Sequence, residues 1–191
     1  LATGVENLRL ALDSMTMTPE IEARAVPLVD ATAFLLATFT NESPEQLLPG
    51  TVFLYRDSAL VGSTQFAGLA PAAKAHIGFG AIEGLRLKRT MPDRSTGDHG
   101  FISTSTEQQE TAVLSVENLT TESWPLRVLD QVPYSEQDEL AISYTAEPSA
   151  SEENYDGGKG ILSWTFDLAP TEKKEITLTQ KLSWPEGKLL Q

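Results

Sequence analysis

Apolar and polar residues alternate with a period of two along most of this chain, and the alternation halts repeatedly at clusters of Gly, Pro, Asn, Asp and Ser. Successive side chains of an extended strand point to opposite faces, so the pattern predicts half-buried β-strands joined by turns. No window of helical length carries an i, i+3, i+4, i+7 stripe. Val5, Leu8, Leu10 and Leu12 predict an opening strand, and residues 34–40 a second, closed by the loop Asn41-Glu42-Ser43-Pro44. Residues 51–66 predict a hairpin about Arg56-Asp57-Ser58-Ala59. Asp57 tolerates a left-handed conformation and Ser58 suits it less well than Gly would, so a turn longer than two residues is expected. Residues 70–75 are too few for a stable helix and predict a turn or one helical revolution. Residues 85–90 alternate again, and 91–100 form a polar loop.

Beyond residue 108 the strands become more regular, at 111–117, 124–129, 139–145, 160–168 and 175–184, with an acidic, mobile loop expected over 147–159. Leu162, Trp164, Phe166 and Leu168 share one strand face, and Ile176, Leu178, Leu182 and Trp184 another, which is enough apolar surface to close a core. The expected fold class is all-β, with two β-sandwich-like modules spanning 1–107 and 108–191, the second immunoglobulin-like or fibronectin-III-like. A length of 191 residues suits two small β domains.

Charge narrows the partners. The formal net charge is −13, which repels polyanions such as nucleic acid. The one dense basic stretch is Arg86, Lys88, Arg89 and Arg94, and its first three residues, alternating with Leu85, Leu87 and Thr90, read as the solvated face of a strand. The absence of cysteine removes disulfides, thiol nucleophiles and Cys-based metal sites. No apolar run approaches the length that spans a bilayer, so no membrane insertion by this segment is expected. The chain begins at Leu1 and reads as a piece of a longer protein whose compartment stays open.

Several motifs together resemble a family. Residues 49–57 (Pro-Gly-Thr-Val-Phe-Leu-Tyr-Arg-Asp), Gly78-Phe79-Gly80, Val128-Leu129-Asp130-Gln131-Val132-Pro133, Leu168-Ala169-Pro170 through Lys173-Lys174-Glu175-Ile176, and Ser183-Trp184-Pro185 are similar, in the same order, to the C-terminal domain of the mucoidy inhibitor A-like proteins. Ser58 departs from the Gly that usually follows the Asp. The resemblance implies a domain of unknown function that follows an N-terminal domain and a coiled-coil middle. The family name implies an effect on exopolysaccharide, and no catalytic residue carries over.

Candidate chemistry is sparse. Gly78-Phe79-Gly80 with Gly84 misses the dinucleotide-binding spacing. A histidine-dependent triad would have to use His76 or His99, and only His99 has Arg94 and Asp98 close by in sequence, together with serines. Arg94, Asp98 and His99 are therefore the candidate binding residues, although no nucleophile elbow surrounds the serines. No catalytic residue, cofactor or metal ligand is assigned. Glu136, Asp138 and Glu139, and likewise Glu152, Glu153 and Asp156, lack EF-hand spacing and read as solvated loops. Trp124, Trp164 and Trp184 read as packing residues, and would stack on sugars only if exposed. Asn41-Glu42-Ser43 and Asn118-Leu119-Thr120 match glycosylation sequons. The expectation that results is a non-enzymatic protein-interaction or structural module, with polysaccharide binding or processing, or hydrolysis at the His99 loop, as the alternatives.

Overall fold

The computed structural model describes residues 14–98, 105–137 and 139–185; the strand expected at Val5 to Leu12 lies outside them. The strands are β1 (Glu20–Ala25), β2 (Thr32–Thr40), β3 (Gly50–Arg56), β4 (Ala59–Phe66), β5 (Lys74–Asp98), β6 (Ser105–Asn118), β7 (Trp124–Gln131), β8 (Ala141–Glu147), β9 (Glu152–Glu153), β10 (Ile161–Leu168) and β11 (Lys173–Pro185), with one 3-10 turn at Tyr155–Gly157. Nine of them form one mixed sheet in the order β8-β11-β6-β5-β2-β1-β7-β10-β9, while among the described residues β3 and β4 pair only with each other. Among the described residues, the one parallel pairing of the sheet joins β1 to β7.

The sheet folds over on itself. Trp164 of β10 and Leu178 of β11, near opposite ends of the strand order, belong to one apolar cluster with Leu85, Leu87, Leu114, Val116, Leu126, Val128, Leu162 and Ile176. Both faces predicted for 162–168 and 176–184 supply this core. Residues 107 and 108 are neighbours inside β6, so strands from either side of the expected division share the sheet.

Three local expectations are corrected. Arg56 pairs directly with Ala59 across a two-residue turn, because Asp57 and Ser58 both take positive φ (50° and 66°), as a primed hairpin turn requires. The polar loop expected from 91 is strand: β5 runs on to Asp98 beside β6 as a long two-stranded arm, its register shifted between Thr90 and Asp93. The acidic loop expected to be mobile is tied down at points while most of its residues stay exposed: β9 adds to β10, and Ala150 lies against the core. Gly84 marks where β5 passes from β2 to β6. It sits at φ +93°, and a Cβ there would meet Thr120 Cγ2 at 2.8 Å, so only glycine fits.

The chain repeats one design. β2, β3, β4 and the start of β5 correspond to β6, β7, β10 and β11: one fixed displacement along the chain for β2 and β3 and a longer one for β4 and β5 carry the register pairs of the first set onto pairs of the second, except Thr32↔Arg86, Phe34↔Ala81, Tyr55↔Leu60 and Arg56↔Ala59. Thr40↔Lys74 corresponds to Glu117↔Lys173, and Thr38↔His76 to Ser115↔Glu175. Leu47↔Leu69 matches Trp124↔Leu168, Thr51↔Gln65 matches Val128↔Trp164, and Leu54↔Gly62 matches Gln131↔Ile161. The loops agree as well. Asn41 Nδ2 donates to Glu45 O (2.8 Å) and Leu69 O (3.1 Å), and Asn118 Nδ2 to Glu122 O (2.8 Å) and Leu168 O (3.0 Å). Each Oδ1 accepts from the backbone N and the hydroxyl of the residue two further on, Ser43 or Thr120. Both asparagines are buried at 0% exposure. In the folded chain both sequons are therefore structural turns whose amide nitrogens are committed to carbonyls, not glycan acceptors. The repeats differ between the second and third strands: β3 and β4 are joined by Asp57-Ser58, whereas β8, β9 and the 3-10 turn are inserted between β7 and β10.

Candidate functional site

Of the three candidate binding residues, Arg94 and Asp98 lie on the arm, where the register sets them opposite Glu110 and Thr106; His99 lies outside the described residues. At the base of the arm is a groove of about 470 Å³ lined by Arg89, Met91, Glu110, Val132, Tyr134 and Lys159. Its polar anchor is Arg89. The strand phase puts Arg89 on the same face as Leu85 and Leu87, not with the exposed Arg86 and Lys88, and puts Asp130 on the same face as Leu126 and Val128. The two meet at the edge of the core: Arg89 Nε donates to Asp130 Oδ2 at 2.9 Å, and Asp130 Oδ1 accepts from the Gln131 backbone N. The reading of the basic stretch as wholly solvated is corrected at this residue. The signal was in the sequence, since Leu85-x-Leu87-x-Arg89 and Leu126-x-Val128-x-Asp130 have the same phase.

A second polar cluster covers the other face of β1 and β7. These strands set Arg24 directly beside Arg127, an arrangement of like charges that needs compensation. Glu22 supplies it, accepting from Arg24 and, at 2.9 Å, from Arg127 Nε. The Tyr155 ring lies over both guanidiniums, 4.7 Å from Arg127 and 5.7 Å from Arg24. Arg24 Nη2 donates to the Tyr155 hydroxyl at 3.0 Å, and Arg127 Nη1 to Ser163 Oγ of β10 at 2.9 Å, so the cluster clamps the inserted 3-10 turn onto the sheet. Burial opposes ionisation of Glu22, but the hydrogen bonds from Arg127 and Arg24 outweigh it and hold the carboxyl below its ordinary 4.5. A depressed carboxylate stabilises the fold fully above its unfolded pKa, and that contribution is lost as pH falls through the lower folded value. Glu22→Gln is expected to lower stability by about 1–2 kcal/mol at neutral pH, and the difference from the parent should close below pH 4.5. Urea titrations at a series of pH values check this.

The acidic stretches are engaged in pairing. Lys159 Nζ donates to Glu136 Oε1 (2.8 Å) and to the Tyr134 hydroxyl (2.9 Å). Glu153 hydrogen-bonds Tyr144, whose hydroxyl is pushed up to about 12 by burial first and by Glu153 second. Asp138 lies outside the described residues. Among the described residues no three of His, Asp and Glu gather as a metal site. His76 Nδ1 shares a 2.8 Å hydrogen bond with Thr38 Oγ1 at the surface. Trp164 is 1% exposed, and Trp124 and Trp184 are half-buried, Trp124 Nε1 donating to Thr120 Oγ1 at 3.0 Å. The three do not form an open aromatic platform. The described polar groups clamp segments of this fold to one another.

The family model described as a domain of unknown function, DUF4139, matches residues 6–186. The chain belongs to the DUF4139 family. This DUF4139 domain is similar to Protein F37C4.5 of Caenorhabditis elegans, with 22% identity over 197 residues covering 95% of this chain and 34% of the relative. The chain thus spans about a third of that relative's length. No solved structure matches it. No helix among the described residues of the domain is long and apolar enough to cross a membrane.

Proposed function

We propose that this DUF4139 domain is a non-enzymatic protein-interaction or structural module, made of two β-sandwich-like units of which the second is immunoglobulin-like, and carried at the end of a longer chain. The boundary proposed between the units is the Gly84 bend of β5, upstream of the 107/108 division suggested by composition. The resemblance to the C-terminal domain of the mucoidy inhibitor A-like proteins supports the end-module placement.

One observation carries the reading. On β7 and β10 the face bearing Val128, Leu162 and Trp164 is buried core, whereas the corresponding face of the β3–β4 hairpin is turned to solvent. Its positions equivalent to Val128 and Trp164 are Thr51 and Gln65, which hydrogen-bond to each other at 2.8 Å. Nearer the hairpin turn the same face carries Tyr55 and Leu60, paired across the strands and 56% and 58% exposed. An exposed apolar patch ringed by polar groups is a common basis for protein contact. The test compares the parent with a Tyr55→Ser, Leu60→Ser double variant of equal thermal midpoint, in pull-downs from host lysate followed by rebinding of the purified partner. Affinity is expected to fall about tenfold or more in the variant. Saturable sugar binding on a glycan array, or hydrolytic activity that purifies with the domain, would overturn the reading.

A further inference from the structure

The two repeats have equivalent grooves, between β4 and the start of β5 in the first (about 510 Å³) and between β10 and β11 in the second (about 500 Å³). In the second, the inserted segment itself forms part of the wall. After β8 has added to β11, residues 148–151 cross to β10: Trp164 Nε1 donates to Pro148 O (2.9 Å), Ser151 N to Ser163 O (2.8 Å) and Thr165 N to Ser151 Oγ (3.0 Å). In the first repeat the short turn at Asp57-Ser58 leaves no such segment. Among the described residues β4 pairs only with β3, and the start of β5 only with β2. Two strand edges therefore flank the groove without a backbone partner, and such edges accept an added strand.

The chemistry at the groove differs between the repeats in a way that specifies the occupant. Lys173 in the second repeat is neutralised by Glu175 two residues on, at 2.8 Å. The corresponding residues in the first are Lys74 and His76, and among the described residues Lys74 has no carboxylate partner. Phe66, Leu69 and Ile77 supply apolar surface inside the same groove. Side chains of an added strand alternate between its faces. A segment with an apolar residue toward Phe66 and Ile77, and a carboxylate on the alternate position toward Lys74, satisfies both.

We propose that the groove between β4 and β5 docks an extended polypeptide segment of a partner protein, bearing a carboxylate in alternation with apolar residues, which adds to the edge of β5 at 74–78. This rests on the protein-interaction reading above and adds to its Tyr55–Leu60 face a second contact, in the groove. The experiment is selection of a displayed random decapeptide library on the parent domain, followed by solution binding of the enriched peptides as synthetic probes. Enriched peptides should alternate acidic and apolar residues and should slow amide exchange over 74–78. They should bind Lys74→Glu about tenfold more weakly while keeping their affinity for Lys74→Arg. Both variants should keep the parent's thermal midpoint. Failure to enrich, or enriched peptides indifferent to Lys74→Glu, overturns the groove assignment. Peptides lost instead with the Tyr55→Ser, Leu60→Ser variant would leave the interaction reading standing and remove only the groove.

Discussion

Trp164→Ala should destabilise the domain by about 3–5 kcal/mol, the range for truncating a large aromatic in a packed core. Trp164 is 1% exposed and lies in a cluster fed by both ends of the folded sheet, so the space it leaves is bounded by strands that cannot all close in on it. Its Nε1 also holds Pro148 O, and the substitution strands that carbonyl as well as opening a cavity. Trp164→Phe keeps much of the apolar contact but loses the hydrogen bond and part of the indole volume, so its expected loss is smaller, about 1–2 kcal/mol. Urea denaturation at neutral pH measures both, and a thermal midpoint for Trp164→Ala equal to the parent's would refute its place in the core.

Arg89→Ala should have a loss of similar size for an electrostatic reason. Asp130 has no exposed side-chain surface, and removing its guanidinium partner leaves a buried carboxylate held by one backbone amide. Breaking such a pair by deleting one member costs about 3–5 kcal/mol, whereas replacing both members with apolar residues of similar volume is often neutral. The double variant Arg89→Met, Asp130→Leu should therefore be substantially more stable than Arg89→Ala. A double variant no more stable than the single would show that the pair's role is packing and not charge compensation.

How far the sequence reveals this molecule depends on which interactions act locally. Period-two alternation located most strands because it reports a face, and the faces of 162–168 and 176–184 were readable for that reason. The tail of β5 reads as a loop because Pro92 and Gly97 are turn formers; pairing with β6, the next strand in the chain, overrides them. The segment 147–159 has the composition of a solvated loop, yet Tyr144, Ala146 and Ala150 anchor its surroundings to the core. The internal repeat was visible in outline, as Asn-x-Ser and Asn-x-Thr each followed further on by Leu-Ala-Pro, at 69–71 and 168–170. Read singly, these looked like sequons and a family motif; their role is to bond one loop to another across the unit. The groove between β4 and β5 was not legible, since no local pattern shows that two strand edges will meet without a cover.

The placement of β1 dictates an order of assembly. β1 and β2 are close in the chain and can zip together as soon as both have emerged from the ribosome, but β1's other neighbour is β7, which is made only after β3 to β6. Closing so long a loop slows folding more than it weakens the folded state. Until β7 is made, the described flank of the β1–β2 hairpin that β7 will cover has no strand beside it, and an unpaired strand edge is a place where a neighbouring chain can adhere.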